Sequence, residues 1–341
     1  MSRTPRVYKF AILFFFLVTC MFFVTVHRVI VAKKALMLLS AIQFTQPQTV
    51  FPPRAVRTPL SLCPEAAAST EFAFVAMLSS DFELYGIAAA KLGHTLRHHS
   101  NLDLIMLELN TKPIPRDTRV LLHRAGWTTC RVSIIRGPSH LADDASRFLR
   151  ASVYTKLHAW QLVEYSAVAM IDVDMLATKD PSDIFTTELP HMLAANKSLG
   201  AVHDHPLHKC NTMGPYPSSF SAGMMLIKPG TDTYTRLVNS IDRLQHNSEI
   251  DAEQALINTF FTNAIFELPF RYNANTVVRV CEPALWLEHK NEFRLVHYTI
   301  SKPWTHSTRW TTFEDPFICW FWRVEDYCVL WNMIDVRTGV Q

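Results

Sequence analysis

Two carboxylates separated by a single residue, Asp172 and Asp174, stand at the end of the apolar run Val168, Ala169, Met170 and Ile171 within AVAMIDVDML, Ala167 to Leu176. A short apolar run bounded by polar residues suits a buried strand. The acids therefore fall where such a strand gives way to a loop. In open α/β sheets, ligands sit outside the carboxyl ends of the strands. Unpaired carboxylates are too costly to bury as core residues, so a pair placed there calls for a cation. Oxygen ligands of this hardness favour Mg²⁺ or Mn²⁺, and such an ion commonly arrives with a substrate phosphate. A bare D-x-D is often no more than a solvated turn. Here its place after a hydrophobic strand gives it weight.

The elements needed to position that pair are legible on both sides of it. EFAFVAMLSS, Glu71 to Ser80, reads as a first buried strand. A helix over DFELYGIAAAKLGHTLRHHS follows, with Asp81 as its N-cap. LDLIMLEL (102–109) is a second strand, IPRDTRVLLHRAG a second helix stopped at Gly126, and CRVSII (130–135) a third strand. Alternation of this kind predicts an α/β fold with a parallel, doubly wound sheet. A helix is expected over 146–166, carrying Lys156 and Trp160 one turn apart. Downstream, KDPSDIF predicts a turn and a capped short helix, and HMLAAN with GAVHD a further strand pair. SFSAGMMLIKP is a strand with a small-residue entrance. TDTYTRLVNSIDRLQ and DAEQALINTFF are helices, and LPFRYNAN is extended.

Composition narrows the function. The chain has 341 residues, a net charge of +3 and few glycines. That charge is too slight to point to a nucleic-acid partner, and neither a G-x-G-x-x-G nor a Walker pattern is present. Residues 10–26, FAILFFFLVTCMFFVTV, form a charge-free run that reaches the lower end of a transmembrane length. The reading is a type II signal anchor at 10–26 behind a cytoplasmic tail at 1–9, a stem at 27–70, a catalytic domain at 71–305 and an aromatic extension at 306–341. Cys63, Cys130, Cys210, Cys281, Cys319 and Cys328 would face an oxidising lumen. Six cysteines allow fifteen pairings, among which a Cys319–Cys328 bridge would close a short loop in the extension. One sequon, Asn196-Lys197-Ser198, would be usable there.

Five pieces in a fixed order carry a family resemblance. They are AFVAMLSSD; YTKLHAWQLVEYSAVAMIDVDMLATKDPSDIF; FSAGMMLIKP; the pair EQALINTFF and LPFRYN; and HYTISKPW. Together they resemble the glycogenin-like branch of glycosyltransferase family 8, here in a membrane-anchored, Golgi-type form. The resemblance implies a single GT-A-type nucleotide-sugar domain with a Rossmann-like, mostly parallel mixed sheet flanked by helices. It implies a UDP-sugar donor, Mn²⁺ with Mg²⁺ as the alternative ion, and transfer with retention at the anomeric carbon.

By that resemblance Asp172, Asp174 and His297 would hold the metal, and Lys302 would meet the diphosphate. Lys156 would also serve the donor, and Met77, Ser79 and Ser80 would lie along the uridine. Ser221, Ala222 and Gly223 would border the sugar, and Glu253 with Gln254 would face the reacting carbon or the acceptor. The chain departs from the family at Ser221-Ala222, where Asn-Ser is common, and at Ile250, where an acid is common. No tyrosine follows Tyr272 in NANTVVRVCEPAL, which argues against self-glucosylation of the glycogenin type. The expected activity is a hexosyltransferase of the Golgi membrane, acting in the lumen on a glycan, glycoprotein or glycolipid, with a homodimer left open. The alternatives are a non-catalytic lumenal binding or scaffolding protein of the same fold, and a metal-dependent phosphohydrolase. The second would draw further ligands from His203, Asp204 and His205.

Overall fold

The computed structural model describes residues 49–50, 62–63, 68–79, 83–138, 152–204, 219–243, 252–299 and 302–303. The expected anchor, Asp81, the sequence beyond Pro303 and the Cys319–Cys328 pair lie outside these residues. No helix among the described residues is long and apolar enough to cross a membrane.

The central sheet is built on two strands that read as near-continuous apolar runs, as strands buried on both faces must. They are β1 (Phe72–Leu78) and β4 (Ala167–Ile171). To one side of β1 lie β2 (Asp103–Leu109) and then β3 (Trp127–Val132), and both pairings are parallel. To the other side lies β4, also parallel. Beyond β4 come β7 (Phe220–Ile227), β6 (Leu199–His203) and β8 (Ile265–Glu267), giving the order β3-β2-β1-β4-β7-β6-β8. Only β7 runs against its neighbours, so the seven-stranded sheet is mixed and mostly parallel. The order reverses between β1 and β4, and the carboxyl ends of these two strands form the crevice where α/β sheets bind ligands. A second sheet, β5 (Met175–Ala177), β10 (Leu295–His297) and β9 (Ala274–Asn275), begins directly after the Asp pair.

Helix α1 (Leu84–His99) joins β1 to β2 and ends on Arg97, His98 and His99, cations well placed at a helix carboxyl terminus. It lies against β3 because Gly93 leaves room for the Trp127 indole, whose Nε1 donates to the Ala89 carbonyl at 2.7 Å. Helix α2 (Arg116–Arg124) stops at Gly126, whose φ of +93° a side-chain-bearing residue adopts only with strain. Strand β3 therefore starts at Trp127, three residues before the expected Cys130.

Other expectations are corrected by the packing. HMLAAN belongs to a helix, α3 (Leu189–Ala194), and not to a strand. Pro190 sits at its start, and Leu189 and Met192, three apart, supply its one buried side. Only GAVHD contributes a strand, as β6. The described part of the segment carrying Lys156 is a 3-10 helix, Val153–Gln161. LPFRYNAN is a 3-10 turn, Phe270–Tyr272, leading into β9. Helices α4 (Thr231–Ser240) and α5 (Ala252–Phe260) fall where expected. Two short helices, α6 (Thr276–Cys281) and α7 (Pro283–His289), complete the chain before β10.

The main core joins the 3-10 helix to the sheet through Tyr154, Leu157 and Trp160 against Met170, Met225 and Ile227. A smaller cluster lies under α6 and α7, where Val278, Trp286, Phe293, Val296 and Tyr298 pack together.

Candidate active site

Strand β4 ends at Ile171, and the next backbone N–H, that of Asp172, donates to the Gly223 carbonyl of β7 at 2.8 Å. Two residues on, the Asp174 carbonyl accepts from the Tyr298 N–H at 3.0 Å. The Asp-Val-Asp turn is thus held between β7 and the end of β10. Because β10 pairs antiparallel with β5, His297 lies opposite Met175, one residue beyond Asp174. The result is that one ligand atom from each of Asp172, Asp174 and His297 lies within 4.8 Å of the others. His297 Nε2 is 3.3 Å from Asp174 Oδ1 and 3.9 Å from Asp172 Oδ2.

The imidazole is aimed from behind. Its Nδ1 is 3.0 Å from Asn273 Oδ1, a partner that holds the ring with Nε2 facing the carboxylates. This is the outer partner that metal-binding histidines characteristically have. Gly223 is required on the same account. A Cβ there would meet His297 Cε1 and would stand 2.8 Å from Nδ1.

Two ammonium groups flank the triad. Lys156, buried on the 3-10 helix, pairs with Asp172 Oδ1 at 2.7 Å and with Glu253 Oε1 at 2.7 Å. Lys302 pairs with Asp174 Oδ2 and donates to the Tyr298 carbonyl at 2.6 Å. Burial by itself would lower the pKa of Lys156, but the charges of Asp172 and Glu253 overcome it and hold the ammonium protonated. Burial would also favour a neutral Asp174, yet His297 and Lys302 keep its carboxyl well below the usual carboxylate range. Asp172 is pushed upward, by burial first and by the Asp174 charge, against the pull of Lys156. A quarter of its side chain, 26%, still faces solvent. Two close carboxylates with an imidazole nitrogen beside them are a donor set that a divalent cation suits.

The predicted site residues are distributed around this centre in distinct ways. Met77 and Ser79 lie at the carboxyl end of β1, the strand next to β4; Ser80 is outside the described residues. Ser221, Ala222 and Gly223 form the entrance of β7, beyond the end of β4. The Ser221 hydroxyl accepts from the Gly223 N–H at 3.3 Å. Gln254 holds this entrance in place, accepting from the Ala222 N–H at 2.9 Å while its amide donates to Asp204 Oδ2 at 2.9 Å. One turn further along α5, Asn258 exchanges two hydrogen bonds, each 2.8 Å, with the Phe220 backbone. Glu253 is engaged with Lys156.

Sequence reasoning missed Asn273 and Asn258. The signal for Asn273 was its place in NAN, polar and adjacent to a run with the hydrophobic residues of β9 and α6. Of the residues named for a second metal position, His203 is 3.5 Å from Glu267 and stacks on Phe220, Asp204 is bound to Gln254, and His205 lies outside the described residues. Among the described residues the one cluster of metal-ligand type is Asp172, Asp174 and His297.

Comparison with known proteins agrees with this geometry. The chain is 25% identical to galactinol synthase 1 of Solanum lycopersicum over 205 residues, 57% of this chain and 62% of that protein. It is 29% identical to glycogenin-1 of Caenorhabditis elegans over 157 residues, 44% of this chain and 32% of that one. It thus spans less than two thirds of each. Among solved structures, the apo form of the bifunctional glycosyltransferase WbbM superposes with a TM-score of 0.51 at 18% identity, covering 68% of this chain and 46% of that one, a likeness of fold. The model of Glycosyl transferase family 8 matches residues 110–308. That stretch takes in β4, the Asp pair, β7, Glu253, His297 and Lys302, and on this match over more than half its length the chain belongs to glycosyltransferase family 8.

Proposed function

We propose that this protein transfers a hexose-type sugar from a UDP-sugar to a glycan, glycoprotein or glycolipid, with retention at the anomeric carbon and with Mn²⁺ as its ion, Mg²⁺ being the alternative. The observation that carries the reading is the convergence of Asp172, Asp174 and His297 between two lysines, Lys156 and Lys302. The three carboxylates of Asp172, Asp174 and Glu253 outnumber the two ammonium groups of Lys156 and Lys302, which favours receipt of a cation at this centre. A divalent ion held by the triad would neutralise the diphosphate as it leaves.

The remaining work falls to the chain itself. Lys302, half-buried beside Asp174, presents an ammonium where negative charge develops on the leaving group. Lys156 fixes Asp172 and Glu253 against each other and is committed to that role by two short contacts. The β7 entrance, held by Gln254 and Asn258, offers a rigid wall of small residues on which a sugar ring can rest. Met77, Ser79 and Ser80 would meet the uridine from the end of β1.

The same proposal places the catalytic part in the lumen of the Golgi as a single-pass type II protein. The Cys63–Cys130 disulfide supports an oxidising compartment. The charge-free run at 10–26 supports an anchor.

The test is a screen of UDP-sugars for UDP release by the purified full-length protein with and without Mn²⁺. Metal-dependent turnover of one donor is expected, with Asp174→Ala lowering it by several orders of magnitude. A folded protein that turns over no UDP-sugar, or an Asp174→Ala variant with normal turnover, refutes the reading.

A further inference from the structure

The registered pairs of β4 with β7 stop at Ile171 and Met224. On the other side, β6 pairs Ala201 with Met225 and next His203 with Phe220, so Val202 faces the whole stretch from Ser221 to Met224. The ladder is interrupted here, as strands commonly are beside active sites. Ser221 and Ala222 are nonetheless buried, and buried backbone N–H groups need partners. Side chains supply them. Asn258 Oδ1 accepts from the Phe220 N–H, Gln254 Oε1 from Ala222 and Ser221 Oγ from Gly223.

A glutamine amide can be turned either way about its last bond, and its neighbours decide between the two. Here both neighbours make the same demand. The Ala222 N–H can only donate, so it takes the amide oxygen, at 2.9 Å. On the far side the Asp204 carboxylate oxygen Oδ2 takes the NH₂ group, also at 2.9 Å. Asp204 is itself tied to the foot of β7, where its N–H donates to the Ser219 carbonyl at 2.9 Å. The Gln254 oxygen is thereby committed to the backbone of β7.

We propose that Asp204 is a positioning residue for sugar transfer. It locks the Gln254 amide and, through it, the Ser221–Gly223 wall on which the donor sugar rests. Gln254 is then a brace for that wall and does not itself act on the reacting carbon. This inference rests on the UDP-sugar reading above. The metal triad has separate supports in β10 and Asn273, so the bridge bears on the sugar and not on the nucleotide.

The test exchanges the two partners in the full-length protein and follows UDP release with Mn²⁺. Gln254→Glu removes the donor and sets two carboxylates face to face. Adding Asp204→Asn restores a donor from the opposite side and returns the pair to a single carboxylate. Gln254→Glu alone is expected to lower kcat/KM about 10–100-fold, and the double variant to recover to within about threefold of the parent. Asp204→Ala, which frees the amide to turn, is expected to lower kcat/KM about tenfold, and it carries the test if Gln254→Glu does not fold. Calorimetric affinity for UDP with Mn²⁺ should stay within about twofold in every folded variant, which a general loss of structure would not allow. The proposal is overturned by a double variant no more active than Gln254→Glu, the result expected if the Gln254 amide acts on the sugar itself. Parent-like kcat/KM in Gln254→Glu or in Asp204→Ala also overturns it, as does UDP affinity that falls in step with turnover. A parent protein that turns over no UDP-sugar refutes the underlying reading and this one with it.

Discussion

His297 has two ring nitrogens, and Asn273 engages one of them, which leaves Nε2 to face Asp172 and Asp174. Removing that partner frees the ring to rotate and to change tautomer without altering the ligand itself. Asn273→Ala is therefore expected to weaken Mn²⁺ binding by about 10–100-fold while the far-ultraviolet circular dichroism stays the same. Calorimetric titration of Mn²⁺ in the presence of UDP reads this directly, and an unchanged affinity would show that Nε2 is not a ligand.

A second residue, Lys91, is nearly buried on α1, and burial lowers its pKa from 10.5 to about 8. Between about 8 and 10.5 the folded chain binds fewer protons at this position than the unfolded chain, so stability rises with pH across that window. Below pH 8 both states carry the charge and the full penalty of burying it applies, roughly 3–4 kcal/mol from the size of the shift. Lys91→Met should remove the rise in stability between about pH 8 and 10.5. Melting curves of both proteins over that range settle the point.

At the scale of elements, β3 is the edge of the seven-stranded sheet, and the segment at Leu62–Cys63 is tied to it through the Cys63–Cys130 bond. The bond spans 67 residues of sequence and so restricts the unfolded chain considerably. Replacing both cysteines by serine should cost about 2–4 kcal/mol, measured by denaturant unfolding. An identical midpoint would mean that the segment is held by its other contacts. Such contacts exist. Ser69 and Thr70 donate backbone N–H groups to Asp103 at 2.7 and 3.1 Å, and the Thr49 N–H donates to the His99 carbonyl at 2.7 Å. Parts of the stretch expected as a stem are in this way fastened to the start of β2 and the end of α1.

At the scale of the molecule, the two ends of the sheet have different tasks. The triad stands at the carboxyl ends of the parallel strands, whereas Asp103 and Ser100, which receive Ser69, Thr70 and Thr49, stand at the amino end of β2. Strand β6 is antiparallel to β7, which is antiparallel to β4, so β6 runs with β4 and begins at the end away from the triad. Asn196 lies just before β6, exposed, in a turn with φ of +55°. A glycan there would stand clear of the donor site. In secretory expression we expect a mass decrease on enzymatic deglycosylation that is absent in Asn196→Gln, with equal turnover by both proteins. No mass change in either would count against the lumenal placement.

The sequence by itself determined the class of the fold and the centre of the site. Buried strands announce themselves by unbroken apolar runs, and a carboxylate pair at the end of such a run has few physical uses. The order of motifs then pointed to His297 and Lys302, more than 120 residues away in the chain. The boundaries of β3 and the helical state of HMLAAN followed instead from contacts between distant elements, Trp127 on Gly93 and the two-residue buried side of α3. Tertiary structure alone decided that Lys156 is shared by Asp172 and Glu253, that Gln254 braces β7, and that Asn273 stands behind His297. Each of these is a hydrogen bond or ion pair between residues at least 16 positions apart. Local spacing carries no information about such pairs, because they exist only once the two sheets and α5 have closed around the same strand end.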